Sequence, residues 1–509
     1  GSEGNATHIA LFVSNCCIRA TSLERRAGSN CKFGILVTNG CNIVYDDGDW
    51  AKVSKTVVRF VDAGRGDYRL REGSQLVEAG MTLGWMDGAG DRDGNPRIAG
   101  MVPDIGCYER QGYEVDPELP CVRAVAREED KTGVWKDAIV GLKAAVAAAG
   151  DDTPVYVKAG TYDVTEPIAA RSWGVSIVGE GAASTVVDGG LPARTNRIFT
   201  IDTRNVTLEG LTIQNGKVVN ASGGGVYVNA TGFAMRNCVV DNCSAQDGGG
   251  LYAAVNCPCF GIVDTTFQNC WADRYGACAN LADEAGLAGC TFRDSTAYTE
   301  GGGIFFGSKA FAVTDCVFTN CATSGNGANQ KGGAIYGGGN VASVIERCQF
   351  LGCAAKEDGS AFYLNSPCTI TDCLFANSCD TRTAWNSGSV ILATKTQWID
   401  SCIFRANVIQ GSLCAKIFGG SVITNCVVEN NPNVGKTPYL FTRQGGTDLV
   451  LVTDCVIRDT YANYIFDAGV NMEGCVFSNI TLKTSVDSND RGNVRNCLFT
   501  GCPSPILIQ

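Results

Sequence analysis

A short phrase that recurs along the chain constrains its fold more than any other feature. In ten copies a Cys is followed two residues later by Phe, Val or Ile, and successive copies lie 20 to 32 residues apart once two copies without Cys are included. Leu211 and Thr265 occupy the Cys position in two further copies. A repeat of this length is typical of a solenoid, in which each unit stacks on its neighbours.

The residues around each phrase indicate short strands. Apolar and polar residues alternate with the period of a strand, and a glycine phrase such as Gly248-Gly249-Gly250 lies between copies. Two or three short strands per repeat, joined by Gly, Asn and Ser turns, predict an all-β solenoid, the right-handed parallel β-helix. Its coils would stack at ~4.8 Å, so that each coil buries the inward side chains of the next.

The cysteines of the phrase are expected to form one column inside this helix. Free core thiols are the favoured interpretation. Disulfides between neighbouring coils are the alternative, because Cα atoms one coil apart fall within the ~4.4–6.8 Å disulfide window. The predicted column consists of Cys238, Cys290, Cys316, Cys348, Cys373, Cys402, Cys426, Cys455, Cys475 and Cys497. A second column is expected at Cys243, Cys270, Cys321, Cys353 and Cys379.

The cysteine count, the charge and the scarcity of histidine exclude several functions. The chain holds 27 Cys without a zinc-type Cys-x-x-Cys pair, which favours an extracellular or cell-surface location. A net charge of −11 argues against a nucleic-acid partner, and the absence of a long apolar run predicts no membrane span. His8 is the only histidine, which removes most Ser-His, Cys-His and His-metal chemistry.

The chain is expected to have four regions. Residues 132–150 have the pattern of an amphipathic helix that would cover the N-terminal end of the stack. Residues 111–152 are therefore predicted to be a linker with a short capping helix, and 153–509 the β-helix proper. Residues 1–59 repeat the coil phrase at Cys16 and Cys41, and 60–110 are expected to be a cap-like segment.

The order of these regions predicts a solenoid that is split between its two ends. No capping segment follows the last phrase, whereas residues 1–59 carry two further coils, so we expect them to complete the C-terminal end of a neighbouring copy. The expected partner is the chain itself, in a head-to-tail homopolymer or as one tandem module of a giant surface fibre. The expected interface consists of Cys16, Ile18, Cys41, Ile43, Cys497, Phe499, Ile506 and Ile508.

Two parts of the sequence resemble known families. Residues 60–109, with Phe60-Val61-Asp62-Ala63 and Asp104-Ile105-Gly106-Cys107-Tyr108, resemble the closing segment of secreted bacterial parallel β-helix repeat proteins. The Gly-Gly-Ala-Ile phrase at 332–335 resembles polymorphic outer-membrane protein repeats, although Phe267-Gln268-Asn269 departs from their Phe-x-x-Asn motif. The resemblance implies the fold and a surface location, and says little about function.

The residues that could support catalysis or ligand binding are few. β-Helix enzymes need a base beside a bound cation, or clustered carboxylates, and no such cluster recurs in the coil phrases. The weak metal candidate is Asp87, Asp91, Asp93 and Asn95, whose spacing suits Ca²⁺, although a turn is favoured there and no cofactor is expected. Trp271, Trp385 and Trp398 are expected to pack in the core or in turns, with stacking on sugars as the alternative.

These observations predict a structural extracellular protein rather than an enzyme. Its β-helix subunits would assemble head to tail into a filament. The alternatives are a secreted polysaccharide lyase or hydrolase on a β-helix, and a monomeric sugar-binding adhesin. Glycans are thus the second class of partner that the sequence allows.

Overall fold

The computed structural model describes most of the chain from residue 121 onwards. It describes residues 121–502 except 191, 194, 258, 283, 326–328, 381–387, 410–411, 433–438, 463, 467–468 and 483–492, together with 11–12, 17–19, 35–36, 43–45, 60–62, 67–70, 89–95 and 108. The described residues from 121 onwards wind into a right-handed parallel β-helix. The predicted fold class is therefore confirmed.

Each full turn passes through three long parallel sheets, which we call A, B and D in the order of the chain, and the middle turns add a short sheet C between B and D. In the described residues sheet A has 16 strands: Val122–Val125, Ile139–Val140, Pro154–Val157, Ser176–Gly179, Thr207–Glu209, Ala234–Arg236, Cys259–Val263, Ala285–Ala288, Phe311–Thr314, Ser343–Glu346, Cys368–Thr371, Gln397–Asp400, Val422–Thr424, Val450–Thr453, Val470–Glu473 and Val494–Arg495. Sheet B has 14: Gly160–Asp163, Thr185–Asp188, Thr212–Gln214, Val239–Asp241, Thr266–Gln268, Thr291–Arg293, Val317–Thr319, Gln349–Leu351, Leu374–Ala376, Ile403–Arg405, Val427–Glu429, Val456–Arg458, Val476–Ser478 and Leu498–Thr500.

The two remaining sheets of the solenoid, C and D, follow sheet B in each turn where they occur. Among the described residues sheet C has six strands: Ser244–Asp247, Trp271–Tyr275, Thr296–Ala297, Ala322–Thr323, Ala354–Ala355 and Cys379–Asp380. Sheet D has 12 there: Ile168–Ala170, Phe199–Ile201, Val226–Val228, Leu251–Ala253, Ala279–Leu281, Ile304–Phe306, Ile335–Gly337, Phe362–Leu364, Ser389–Ala393, Ser412–Ile417, Tyr439–Arg443 and Tyr464–Phe466.

Smaller elements accompany these sheets. Leu11–Phe12 pairs with Ile35–Leu36, Cys17–Arg19 with Ile43–Tyr45 and Tyr461–Ala462 with Thr481–Leu482, all in parallel, whereas Phe60–Asp62 and Asp67–Leu70 are antiparallel. The described helical segments are the α-helix Leu142–Ala148 and the 3₁₀ turns Glu128–Asp130 and Gly133–Trp135. None of the described helices is long and apolar enough to cross a membrane.

A two-residue turn between sheets A and B explains the recurring phrase. Its first residue adopts left-handed backbone angles, with φ 50° at Asn237 and 55° at Asp315. Asn, Asp and Gly tolerate this conformation best, which is why they precede the Cys in most copies. The second residue points inward, and its thiol donates to the backbone, as from Cys238 Sγ to the carbonyl oxygen of Arg236 at 3.2 Å.

The ten predicted cysteines share one column beside the strands of sheet B. Nine of them are buried, and Cys497 on the last described strand of that sheet is half-buried. The ten cysteines of this column are free thiols, so the structure shows no coil-to-coil disulfide among them. Within the second column, burial raises the pKa of Cys243 to about 12, which keeps that thiol protonated at neutral pH.

The second cysteine column differs from its prediction at one end. Cys243, Cys270, Cys321 and Cys353 each precede a strand of sheet C. Because Ala354 pairs with Cys379 in parallel register, the residue that continues the column is the buried Ser378. The prediction is therefore wrong for Cys379, which lies within the strand itself.

The phenylalanines of the phrase fill the interior beside the cysteines. Their ring centroids are 4.6–5.3 Å apart, and the rings of consecutive coils are stacked. The stack consists of Phe267, Phe292, Phe318, Phe350, Phe375 and Phe404, all of which are fully buried.

The capping helix is shorter than the predicted 132–150. It begins at Leu142, because Gly141 has φ 88° and the β-branched pair Ile139–Val140 forms a strand of sheet A instead. The helix buries Leu142 and Val146 in the main core. It therefore covers the N-terminal end of the interior, as the sequence predicts, but with two turns instead of five.

The predicted assembly segment is described only in part. Two parallel strand pairs lie within residues 1–59, and their register pairs Cys17 with Ile43, one residue away from an alignment of Cys16 with Cys41. Among the predicted interface residues, Phe499 and Cys497 are half-buried. The residues Cys16, Cys41, Ile506 and Ile508 and the side chains of Ile18 and Ile43 lie outside the described residues. The head-to-tail interface stays a prediction.

Candidate functional site

The outer face of sheet D carries a row of aromatic residues. In its short strands the first and third side chains point inward and the middle one outward, as with the half-buried Tyr227 between the buried Val226 and Val228. Strand register aligns the outward positions Tyr227, Tyr252, Asn280, Phe305, Tyr336 and Tyr363. Tyr275, at the end of a sheet C strand, lies 4.9 Å from Phe305 between ring centroids. We call Tyr227, Tyr252, Tyr275, Phe305, Tyr336 and Tyr363 the aromatic stripe.

The rings of the aromatic stripe form two stacks, one of Tyr227 with Tyr252 and one that runs through Tyr275, Phe305, Tyr336 and Tyr363. The centroids of Tyr227 and Tyr252 are 5.5 Å apart and those of Tyr336 and Tyr363 are 5.3 Å apart, with nearly parallel planes. A cation lies over each end, with the guanidinium carbon of Arg197 4.4 Å from the Tyr227 centroid and Lys331 Nζ 4.7 Å from that of Tyr363. Because ring faces cover each other, the stripe offers ring edges and phenol hydroxyls to a ligand.

A row of charged residues runs beside the aromatic stripe. It consists of Asp247, Glu300, Lys331 and Asp358, which we call the polar row, and Tyr275 lies between the first two. Glu300 pairs with Lys331, and Lys331 with Asp358, through parallel bridges between consecutive coils. Each member stands directly before a copy of the glycine phrase.

The glycine phrase fixes the position of the polar row. Gly301 follows Glu300 with φ 66°, and a Cβ there would lie 2.3 Å from the carbonyl oxygen of Ile304. Gly359 follows Asp358 with the same left-handed conformation. Only glycine fits such a turn without a shift of the backbone, so the phrase brings the polar row to the edge of sheet D.

An ion pair neutralises one end of the polar row. Arg274 holds Asp247 with two contacts, Nη2 to Oδ2 at 2.5 Å and Nε to Oδ1 at 3.1 Å. The Asp247 side chain is only 7% exposed, whereas Arg274 is half-exposed. This pair stabilises the turn and leaves Glu300, Lys331 and Asp358 as the charged groups beside the centre of the stripe.

Glu300 has the environment of a proton donor. Burial raises the pKa of its carboxyl, and the nearby Lys331 ammonium opposes this shift in part. The pKa of Tyr336 is raised as well, first by burial and then by the negative charge of Glu300. A carboxyl whose pKa is raised keeps its proton closer to neutral pH and can serve as a general acid.

Asp358 lies two coils from Glu300 along the same row. Its Oδ1 accepts a hydrogen bond from the backbone N–H of Gly388 at 2.9 Å. Such a bond favours the charged form of a carboxylate. The row therefore contains one carboxyl whose pKa is raised by burial and one that accepts a backbone hydrogen bond, with Lys331 between them.

The predicted Ca²⁺ candidate is a turn in the described residues. Asp91 Oδ1 accepts the backbone N–H groups of Asp93 at 2.9 Å and of Asn95 at 2.8 Å. The carboxylate therefore closes the turn, which was the favoured interpretation of this segment. Asp87 lies outside the described residues, and Ca²⁺ binding is left untested. No group of three or more His, Cys, Asp and Glu in the described part of the chain could hold a metal ion.

The tryptophans are more exposed than predicted. Trp271 lies on sheet C with 39% of its surface exposed, and Trp398 lies on the outer face of sheet A with 49% exposed. The favoured prediction, packing in the core or in turns, is wrong for both. Trp385 lies outside the described residues.

The aromatic stripe and the polar row are missing from the sequence predictions. Their members come from different coils, so no short motif brings two of the carboxylates together. The signal that could reveal them is the alignment of the glycine phrases. In the copies that begin at Gly248, Gly276, Gly301, Gly332 and Gly359, the residue before the first glycine belongs to the polar row or is Tyr275, and the residue four positions after that glycine lies in the outward column of sheet D.

A family model of pectate lyase-like proteins matches part of the chain. Residues 129–355 match the family model described as rhamnogalacturonase A/epimerase, pectate lyase-like. This match covers less than half of the chain and includes the aromatic stripe except Tyr363. No curated protein matches the chain.

Several solved structures show a similar chain course at low sequence identity. ORF18 of Geobacillus virus E2 is 15% identical with a TM-score of 0.28, and the match covers 66% of this chain and 57% of that one. A mannuronic acid specific polysaccharide family 6 lyase from human gut microbiota is 11% identical with a TM-score of 0.36, covering 65% and 82%. Pectate lyase Pel9A is 13% identical with a TM-score of 0.30, covering 69% and 80%. At these scores the similarities carry no argument about function.

The prediction that the chain is not an enzyme is therefore corrected. The finding that overturns it is the match of residues 129–355 to a family model of carbohydrate-active enzymes. The same match favours the carbohydrate-active alternative over the filament. The carboxylates of the polar row come from different coils, so no single repeat of the sequence shows them together.

Proposed function

We propose that this chain is an extracellular carbohydrate-active enzyme that binds a polysaccharide along sheet D and acts on it at the polar row. The observation that supports this proposal best is the position of Glu300 and Lys331 beside the aromatic stripe, within the residues that match the family model. An extracellular location agrees with a polymeric substrate, which is too large to enter a cell intact.

The aromatic stripe suits a linear sugar chain. Its outward groups repeat once per coil, at ~4.8 Å, so a polymer parallel to the solenoid axis meets similar contacts at each step. From Tyr227 to Tyr363 the stripe spans five such steps, or about 24 Å. Phenol hydroxyls can hydrogen-bond to sugar hydroxyls while the ring edges contact the apolar faces of the sugars.

The polar row suits hydrolysis of a glycosidic bond. Glu300 would protonate the leaving oxygen, and Asp358 would take a proton from the attacking water. Their strand positions are two coils, roughly 9.6 Å, apart, close to the upper end of the ~6.5–9.5 Å carboxyl separation of inverting hydrolases. Lys331, between them, could hold an anionic group of the substrate.

Elimination is less well supported by the same residues. A lyase needs a base that is unprotonated at the working pH. Tyr336 is the phenol next to Glu300, and its raised pKa keeps it protonated at neutral pH. A protonated phenol cannot act as that base, so hydrolysis is better supported than elimination with a tyrosine base.

The test is the cleavage of a panel of neutral and uronic-acid polysaccharides. We expect the wild-type protein to release reducing ends from at least one of them without forming unsaturated, ultraviolet-absorbing products. Glu300→Gln should lower the rate by roughly 100-fold or more, because it removes the proton donor. Glu128→Gln is the matched control, since that side chain is 75% exposed at the N-terminal end, and its rate should equal that of the wild type. Equal rates for Glu300→Gln and the wild type would contradict the proposal.

A further inference from the structure

The outer face of sheet A has an exposed apolar row in its C-terminal half. Strand register aligns Val344, Thr369, Trp398, Val422 and Leu451 as consecutive outward residues. Val344 is 39% exposed, Trp398 49% and Leu451 37%. The row is one residue wide and crosses five coils.

A hydrogen-bonding row lies beside it on the same strands. Two residues further along each strand, the register aligns Glu346, Thr371, Asp400, Thr424 and Thr453. Thr453 Oγ1 donates to Thr424 Oγ1 at 3.0 Å, and Asn425 Nδ2 donates to Asp400 Oδ1 at 2.8 Å. We call the two rows together the sheet A platform.

The N-terminal half of this sheet face is buried, in contrast to the platform. There Tyr156 is 6% and Val178 4% exposed, and both pack with Trp135 and Ala138 of the segment before the capping helix. Among the described residues, the segment before the capping helix covers this face at one end of the solenoid, and the outward side chains at the other end are exposed. The open part is where the only large exposed aromatic ring of the described sheet A residues lies.

Trp398 differs from the rings of the aromatic stripe in a way that matters for binding. Its neighbours in the row are Thr369 and Val422, so no aromatic ring of an adjacent coil stacks on it. No ring–ring or cation–ring contact in the described part of the chain involves this indole. A free indole face can pack against the apolar face of a sugar ring, with the adjacent hydroxyls and carboxylates accepting bonds from the sugar hydroxyls.

The shape and charge of the platform favour a neutral glycan chain. The carboxylates Glu346 and Asp400 would repel a polyanion, and Arg347, the cation next to them, is held by Glu346 and Asp315. A stable protein–protein interface buries about 800 Å² on each partner, for which a row one residue wide is too narrow. A single polysaccharide chain fits such a row.

We propose that the sheet A platform is a second carbohydrate-binding surface, which takes a neutral polysaccharide chain independently of the site on sheet D. The two faces lie on different sheets of the solenoid. The platform would hold the protein on an insoluble neutral glycan while the polar row acts on its own substrate.

The test is retention on insoluble cellulose, xylan and galactan, measured with the full chain. We expect the wild type to bind at least one of them and Trp398→Ala to bind at least 10-fold more weakly. Trp271→Ala should bind like the wild type, because it removes an exposed tryptophan from sheet C instead. Trp398→Phe, which keeps a ring, should bind more tightly than Trp398→Ala, and matching thermal melts would show that all variants are folded.

Three results would overturn this proposal. The first is that the wild type binds none of the neutral glycans, and the second is that Trp398→Ala binds them as tightly as the wild type. The third is that the wild type sediments as a dimer and Trp398→Ala as a monomer, because the face would then be a protein interface. The proposal is separable from the proposed function, because Glu300→Gln should bind these glycans normally and Trp398→Ala should cleave soluble substrate at the wild-type rate.

Discussion

At the residue scale, Asp264 is the clearest example of a side chain that suits its turn but whose charge does not suit its buried surroundings. It occupies the left-handed position between sheets A and B, with φ 47°, where other coils have Asn237 and Asn425. Its Oδ1 is buried without a hydrogen-bond partner in the described structure. Burial raises the pKa of this carboxyl from 3.8 to about 6.

We predict that Asp264→Asn stabilises the protein at pH 8 and not at pH 4. A carboxyl with a raised folded-state pKa stabilises the fold below its unfolded pKa, and this contribution is lost as the pH rises through about 6. The gain at pH 8 should be on the order of 1 kcal/mol, since part of the carboxyl still meets water. Asn keeps the turn because it tolerates left-handed angles. Urea-unfolding midpoints at pH 4, 6 and 8 measure the effect.

Asp315 provides the matched control at the same turn position. Its carboxylate accepts bonds from Arg347 Nε at 2.7 Å and Nη2 at 2.9 Å. Asp315→Asn removes that ion pair and should not stabilise the protein at any pH. A gain for Asp264→Asn of the same size at pH 4 and pH 8 would show that its charge is not the cause.

At the element scale, aromatic rings are stacked on both the inner and the outer side of the solenoid. Phe318 is fully buried, with ring centroids 4.6 Å from Phe292 and 4.9 Å from Phe350. Phe305, like the rest of the aromatic stripe on the outer face, is half-buried. The inner phenylalanine stack is enclosed by the core, whereas the aromatic stripe is partly exposed to solvent. Substitution of a ring by alanine should therefore have different effects in the two stacks.

We predict that Phe318→Ala is much more destabilising than Phe305→Ala. The inner substitution leaves a cavity and should cost about 3–5 kcal/mol, whereas the outer one loses a cross-strand contact of about 0.2–1 kcal/mol. Urea-unfolding midpoints of the two variants measure the difference. Equal losses would mean that the stripe is part of the core rather than a binding surface.

The strands and the capping helix also show which features of the fold can be predicted from the sequence and which cannot. The coil period, the inward cysteines and the capped N-terminal end follow from local patterns, because each repeat obeys the same turn and burial rules. The length of the capping helix does not follow from the local pattern. Residues 132–150 have an apolar pattern that suits a helix, but Gly141 and the strand Ile139–Val140 interrupt it. The presence of Ser378 in place of Cys379 in the second cysteine column depends on the register in which the strands pair. The spacing between cysteines does not determine that register.

At the scale of the whole molecule, the stacking of coils aligns residues from equivalent positions into rows. Glu300, Lys331 and Asp358 are about 30 residues apart in sequence and adjacent in space. The candidate site is therefore a property of stacking, which is why a search for short catalytic motifs misses it. The same stacking produces the aromatic stripe on sheet D and the sheet A platform.

The most direct test of the central claim is a crystal structure of the Glu300→Gln variant with an oligosaccharide from a polysaccharide that the wild type cleaves. We expect a sugar chain along the aromatic stripe, with a glycosidic oxygen within hydrogen-bond distance of residue 300 and Asp358 on the opposite side of that bond. A sugar chain bound to another face of the solenoid, with the stripe empty, would contradict it.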